Sequence, residues 1–343
     1  MSGLSILRRS RRAWLSALAL LFLVTPPARS AETNQASAPV VFHVGMAKVC
    51  FLDVNRNDAI AAFKVFLENS GRRIGKIYAA DPQVYDDTSS FEVAIQQQPM
   101  HLAIMDAWQL LSMNIHRQMK PYFTDVANGN LGRRFLVLTR RDRGFKTLAD
   151  LRGKPMLKNS AANAAVGKTW LDTQLLSAGL ETQEKFFESV TVASKPTAAV
   201  LPVFFGKVPA CTVDEPTFDV MKELNPQVGQ QLQVLAISDT FADTVICLRE
   251  DGWLSPQDKT DTIQSLQNLH SEPVGQQICT LFKIDRLVPF EDAQLDTVRK
   301  LRATYAALQN AAARANPPAP ALSQIENHLP PPGQSRPERK NEL

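Results

Sequence analysis

The apolar positions along this chain alternate between two periods. Short continuous runs rich in β-branched and apolar residues, such as Val40 to Gly45 (VVFHVG), His101 to Met105 (HLAIM) and Phe135 to Thr139 (FLVLT), have the character of buried strands. Between such runs the spacing becomes helical. Ile60, Phe63, Phe66 and Leu67 share one face of a helix that Asn57 or Asp58 can cap and Gly71 can end. Ser89, with Glu92 three residues on, forms a capping-box pattern that opens a second helix ahead of HLAIM, and another helix follows from Ala107.

The alternation continues after FLVLT. A short helix from Thr147 to Arg152 is stopped by Gly153, a strand runs from Pro155 to Lys158, and a long helix capped by Ser160 passes through Trp170 and Leu175 to Gly179. Next come a strand from Ser189 to Val192, a helix from Thr197 to Phe205, a strand from Ala210 to Val213 and a helix from Pro216 to Leu224. Strands from Leu232 to Ile237 and from Thr244 to Leu248 precede three closing helices. These begin at Pro256 (with Ser255 as cap), at Pro273 and at Asp292, the last reaching about Ala313. Repeated β-α-β units predict an α/β protein with mixed, mainly parallel sheets flanked by helices.

Composition changes this picture mainly at the ends. The 343 residues are 44% hydrophobic and 21% charged, which excludes collagen, coiled coil and disorder throughout and leaves room for two cores. The net charge of +4 suggests a polyanionic partner until it is located: Arg8, Arg9, Arg11, Arg12 and Arg29 lie in residues 1–30, which hold no acid, so the remainder is near neutral. That segment has the layout of a secretory signal. An apolar run from Ala13 to Val24, shorter than the roughly 20 residues that span a bilayer, is followed by Pro26 and Pro27 and by small Ala28 and Ser30 before Ala31. The reading is a signal peptide over 1–30 and a soluble, exported product; an uncleaved anchor is the alternative. Residues 316–343 hold seven of the 22 prolines and read as a disordered Pro-rich tail, either an inert extension or a partner-binding segment.

Most chemical signatures are missing. There is no G-x-S-x-G elbow, no phosphate loop and no G-x-G-x-x-G, which argues against hydrolase, NTPase and dinucleotide readings. The five histidines lack ligand spacing, so no metal site and no cofactor is expected, and His43 and His101 fit strand interiors. Cys50, Cys211, Cys247 and Cys279 form no C-x-x-C; in an exported chain they permit disulfides, with no pairing assigned, and the last three also suit buried apolar positions. Arg133, Arg134, Arg140, Arg141 and Arg143 cluster, but Asp142 interrupts them and no aromatics interleave, so a solvated or docking face is favoured and nucleic-acid binding is not.

One constellation is positive. In open α/β sheets ligands sit beyond the carboxyl ends of strands, where loops feed helix starts. A helix opening with Ser160, Ala161, Ala162 and Asn163 offers backbone N–H groups, a positive dipole end and small side chains to an oxyanion, although Ser160 can equally be only a cap.

Here the chain resembles a known family. KTLADLRGKPMLKNSAANAAVGKTWLDTQLLSAGL (146–180), AAVLPVFFGKVPACTVDEPTFD (198–219), LQVLAISD (232–239) and ICTLFKIDRLVPFEDAQLDTVRKL (278–301) are similar, in order, to segments of the phosphate/phosphonate-type periplasmic solute-binding proteins of ABC transporters. VNRNDAIAAFKVFLENSG (54–71) fits that family's first helix. The resemblance implies a type II periplasmic-binding-protein fold of two lobes, residues 38–132 plus 239–310 and residues 133–238, joined by two crossovers. It implies a monomer that captures a small anionic ligand in the inter-lobe cleft for an inner-membrane ABC permease, with no enzymatic activity. A periplasmic sensing module that signals to a histidine kinase is the alternative; an enzyme on this fold would use Lys195 or Cys211. Departures from the family bear on the ligand. Ser160-Ala161-Ala162-Asn163 stands where phosphonate binders have a hydroxyl-rich turn, and Lys195 replaces a common histidine and can supply positive charge. Asp214 and Glu215 can face the cleft and meet a ligand amine, or serve only as acidic residues at a helix start; Tyr85 and Phe51 are candidate cleft walls, Phe51 equally a core residue.

Overall fold

The computed structural model describes residues 40–52 and 54–315; the expected signal peptide and Pro-rich tail lie outside the described residues. In chain order the elements are β1 (Val40–Ala47), a 3-10 turn (Lys48–Phe51), α1 (Arg56–Arg73), β2 (Tyr78–Tyr85), α2 (Thr88–Gln97), β3 (Leu102–Asp106), α3 (Ala107–Ser112) and β4 (Met119–Val126). There follow β5 (Phe135–Arg140), β6 (Pro155–Lys158), α4 (Ser160–Asn163), α5 (Ala165–Ser177), α6 (Gln183–Phe186), β7 (Ser189–Val192), α7 (Pro196–Phe204), β8 (Ala210–Asp214), α8 (Glu215–Leu224), α9 (Pro226–Gln231) and β9 (Leu232–Ile237). The chain closes with β10 (Thr244–Arg249), α10 (Pro256–Gln267), α11 (Pro273–Phe282), β11 (Arg286–Pro289) and α12 (Asp296–Ala315).

Two mixed sheets, each flanked by helices, form two lobes. The first has strand order β11-β4-β10-β3-β1-β2 and the second β7-β6-β8-β5-β9. The chain crosses from β4 to β5 and returns from β9 to β10. Each strand entered after a crossover is inserted antiparallel to both neighbours, β5 between β8 and β9 and β10 between β3 and β4. The β1-β2, β1-β3, β6-β7 and β6-β8 pairs are parallel. Their carboxyl ends therefore point the same way within each sheet and feed the loops that open α4, α7 and α8.

Pleat alternation sets the cores. Leu102 and Ile104 of β3 enter a cluster with Phe63 of α1 and Ile278 of α11, whereas Ala103 and Met105 face the opposite cluster with Phe91 and Leu110. That opposite cluster also takes in Trp170 and Leu171 of α5 and Val298 and Leu301 of α12. Helix α12 accordingly ties the lobes together: the Arg302 guanidinium lies 5.1 Å from the Trp108 ring centroid of α3, and the Tyr305 hydroxyl donates to Asp172 of α5 at 3.5 Å.

Several expected boundaries move. Asn55, not Asn57 or Asp58, caps α1, its side chain accepting from the Asn57 N–H at 2.8 Å, and the helix runs past Gly71 to Arg73. Asp87 rather than Ser89 caps α2, accepting from Ser90 N–H at 2.8 Å. The long helix expected from Ser160 is two helices broken at Ala164 (ψ 163°), and its cap is Asn159, whose carboxamide oxygen reaches Ala162 N–H at 2.9 Å. Helix α5 seats against that turn because Gly167 has no side chain; a Cβ there would lie 2.8 Å from the Ala162 carbonyl oxygen. All four cysteines are free, with Cys211, Cys247 and Cys279 buried.

Candidate functional site

A cavity of about 820 Å³ opens where the crossovers, residues 127–134 and 238–243, pass the carboxyl ends of β1, β6 and β8. The crossovers are pinned to each other by reciprocal backbone hydrogen bonds between Arg133 and Phe241, both 2.9 Å. Gly132 makes this approach possible. It sits at φ 91°, and a Cβ there would collide with the Phe241 carbonyl oxygen.

Arg133 organises the junction. Its Nε donates to Asp243 Oδ2 at 2.7 Å, a second nitrogen pairs with the same carboxylate, and Nη1 lies 3.8 Å from Asp214 Oδ2. Burial disfavours the guanidinium charge, but Asp243, Asp214 and Asp125 outweigh it and hold Arg133 more firmly protonated than usual. Behind it Asp125 is 4% exposed and accepts from Thr244 N–H at 3.0 Å. Burial, aided by the Asp243 charge, pushes the Asp125 carboxyl well above the ordinary carboxylate range. Burial likewise pushes Asp106, the cap of α3, up to about 6. The Cys50 thiol is raised by burial and then by Asp106, Asp243 and Asp125, which disfavours a thiolate at the cavity wall.

The second lobe supplies the polar wall. Buried Asn159 caps α4 with its oxygen and donates its amide hydrogens to Asp214 Oδ1 and, at 3.1 Å, to Thr217 Oγ1; the Thr217 hydroxyl donates to Asp214 Oδ1 at 2.7 Å. Asp214 is thus engaged by Asn159, Thr217 and Arg133. At the start of α7, Ser194, Lys195 and Thr197 line the cavity, with Lys195 in the N-cap position, exposed and in no ion pair among the described residues.

Of the residues singled out in the sequence, Phe51, Ala161, Lys195 and Asp214 line this cavity. Ser160, Ala162 and Asn163 flank it without lining it, and the amides of Ala162 and Asn163 are already used by Asn159. Tyr85 stands apart at the end of β2, stacked on Phe91 at 4.8 Å. Phe51 is both wall and core, 4% exposed and edge-on to Phe282 at 5.8 Å. Glu215 is turned into Arg134, which donates to it at 2.8 and 2.5 Å, and it does not line the cavity. Cys211 is fully buried in β8 with its thiol raised by burial, and it does not line the cavity.

Sequence reasoning missed Arg133, Asp125 and Asp243. The basic cluster is not one solvated face: Arg133 turns into the junction, Arg134 pairs with Glu215, Arg140 with Asp142, and Arg141 and Arg143 donate to the carbonyls of Gln230 and Gly206. The available signal was positional, since Arg133 and Asp243 each sit one or two residues from a strand entered after a crossover.

Comparison with known proteins places this geometry. A binding protein of a phosphonate ABC transporter from Pseudomonas aeruginosa superposes with a TM-score of 0.57 at 13% identity, covering 80% of this chain and 89% of that one. A Prochlorococcus marinus protein solved with methylphosphonate gives 0.56 at 12% identity, covering 78% and 99%. A Xanthomonas citri protein solved with ATP gives 0.57 at 13%, covering 79% and 98%. At such identities these likenesses establish the fold. No curated protein matches the chain in sequence. Residues 54–295, however, match the profile of the periplasmic substrate-binding proteins of phosphonate ABC transporters, and the chain belongs to that family.

Proposed function

We propose that this protein captures a small oxyanion of the phosphonate or phosphate kind in the cavity between its lobes and delivers it to an inner-membrane ABC permease. Members of this family are periplasmic substrate-binding components of transporters rather than enzymes. On this reading the lobes comprise residues 38–132 plus 239–310 and residues 133–238, the protein works as a monomer in the periplasm after export, and closure about the Arg133–Phe241 junction is the signal the permease reads.

The observation that carries the reading is the start of α7. Lys195, Ser194 and Thr197 line the cavity there, at the positive end of a nine-residue helix. Arg133 cannot play this part alone, because Asp243 and Asp214 already neutralise it. The anion-binding charge therefore shifts from the expected turn at Ser160–Asn163 to Lys195, while Ala161 and Asn159 form the facing wall. Calorimetry against phosphate, methylphosphonate and methanesulfonate tests this: at least one binds with affinity of micromolar order, about −8 kcal/mol. Lys195→Ala weakens that affinity about tenfold, with the unfolding free energy unchanged to within about 0.5 kcal/mol. Unaltered affinity in this variant would move the anion site elsewhere.

A further inference from the structure

The basic cluster of the sequence divides in the fold. Arg133 is taken up by the junction and Arg134 by Glu215, which leaves Arg140, Arg141 and Arg143 at and just beyond the carboxyl end of β5. Because β5 runs antiparallel to β8, that end lies beside the amino end of β8, whereas the cavity lies at the carboxyl end, at Asp214. The three arginines grip backbone carbonyls at this tip of the second lobe. Arg140 Nη1 donates to the Phe204 oxygen at 2.6 Å, Arg143 Nη2 to that of Gly206 at 2.7 Å and Arg141 Nε to that of Gln230 at 3.0 Å.

Between two of those carbonyls stands Phe205, 63% exposed and edge-on to buried Phe204 at 5.0 Å. Lys207 beside it is exposed and in no ion pair among the described residues. Leu224, 72% exposed, ends α8, which packs in one cluster with α7. Asp142 pairs with Arg140 and Glu223 precedes Leu224, so Arg141, Arg143 and Lys207 leave the tip positive on a body that is near neutral. An exposed ring set among cations is the chemistry with which peripheral proteins meet a lipid surface: the apolar group enters the headgroup boundary and the cations face anionic lipid. The arginine forks that would clasp the carboxylates of an acidic protein are committed to the carbonyls. What they present outward is fixed charge, which suits a diffuse layer of phosphates.

We infer that this tip, formed by Phe205, Lys207, Arg140, Arg141 and Arg143, docks on the anionic lipid surface of a membrane, with the Phe205 ring in the headgroup layer. Lys195 caps the start of α7 at the cavity and Phe205 follows its end, so about 14 Å of helix separates the two and docking leaves Lys195 uncovered. The inference takes its setting from the proposed export and is independent of which anion the cleft holds.

The test is co-sedimentation of the exported protein, residues 31–343, with vesicles of phosphatidylcholine alone and with about 30% phosphatidylglycerol. Binding to the anionic vesicles exceeds that to the neutral ones at least about tenfold and falls away in about 0.5 M salt. Lys207→Glu, which reverses one exposed charge, lowers it at least about fivefold, and Phe205→Ser lowers it about threefold, with both folds checked by circular dichroism. Equal binding to the two vesicles, or anionic binding that either substitution leaves unchanged, overturns the inference. Retention on immobilised polyglutamate without vesicle binding also overturns it and marks an acidic protein as the partner. Calorimetry with methylphosphonate on the same samples separates the two claims: vesicle binding without that heat leaves docking standing and counts against oxyanion capture.

Discussion

The two lobes present different surfaces to one cavity. The second lobe meets it with helix starts and hydrogen-bonding side chains, Asn159, Lys195, Thr197 and Thr217, while the first meets it with the carboxylates Asp125 and Asp243 beside the hydrocarbon of Val49, Phe51 and Phe282. Both cores are closed, Leu171 and Val203 of the second lobe being fully buried and Leu248 and Ile278 of the first 0% and 2% exposed. The difference teaches where each lobe keeps its function. In the second it lies in loops beyond parallel strands, as open α/β sheets favour. In the first it lies at the crossover, where Asp243 and Asp125 hold the Arg133 guanidinium.

The largest effect is expected at the junction that both lobes share. Gly132→Ala places a Cβ against the Phe241 carbonyl at positive φ and lowers stability by about 3 kcal/mol in urea denaturation. A loss under about 1 kcal/mol would mean that the crossovers are not pinned there. Next, the two cores can be set beside each other. Leu171→Ala in α5 and Ile278→Ala in α11 each cost about 3 kcal/mol, because both side chains are buried in packed clusters. A cost under about 1 kcal/mol at either position would mean that its core is loosely packed there.

The last effect concerns pH. The folded-state pKa of Asp125 is raised above its unfolded value by burial and the Asp243 charge, so its contribution to stability is fully present below the unfolded pKa, near 4, and is lost as pH rises through the raised folded value. Asp125→Asn retains an acceptor for Thr244 N–H and loses nothing over that range. Its stability relative to wild type therefore increases from pH 5 to pH 8, as measured by thermal melts at both values. His101, lowered to about 4 mainly by burial, pulls the opposite way in both proteins and cancels in the difference. A variant whose relative stability does not change with pH would place the raised carboxyl elsewhere.

Much of the fold was legible from the chain. Ser255 with Pro256, and Pro273, mark the starts of α10 and α11, because proline at the first helical turn is compatible with little else. The strands β2, β4 and β11 were not legible. Strand β2 (YAADPQVY) carries Asp81 and Pro82 and pairs only with β1, and a sheet edge tolerates both. In β4, Pro121 sits where the register against β10 shifts, so the missing N–H falls at an irregularity. The cap of α1 was misplaced because Asn55, Asn57 and Asp58 are locally equivalent. What separates them is tertiary: Arg56, beside Asn55, reaches the Val84 carbonyl at 3.1 Å and pairs with Asp86. Lys195 and Asp214 could be placed beside the cavity because each sits where a strand gives way to a helix. Arg133 could not, since its neighbours in sequence are other arginines and its neighbours in space come from residues 214 and 243.

The central claim is that oxyanion capture closes the lobes over this cavity. Small-angle scattering of the protein with and without saturating methylphosphonate, run beside calorimetry on the same sample, tests it most directly. The account predicts a saturable heat and a smaller radius of gyration on binding. No heat and an unchanged radius across phosphate, methylphosphonate and methanesulfonate would contradict it.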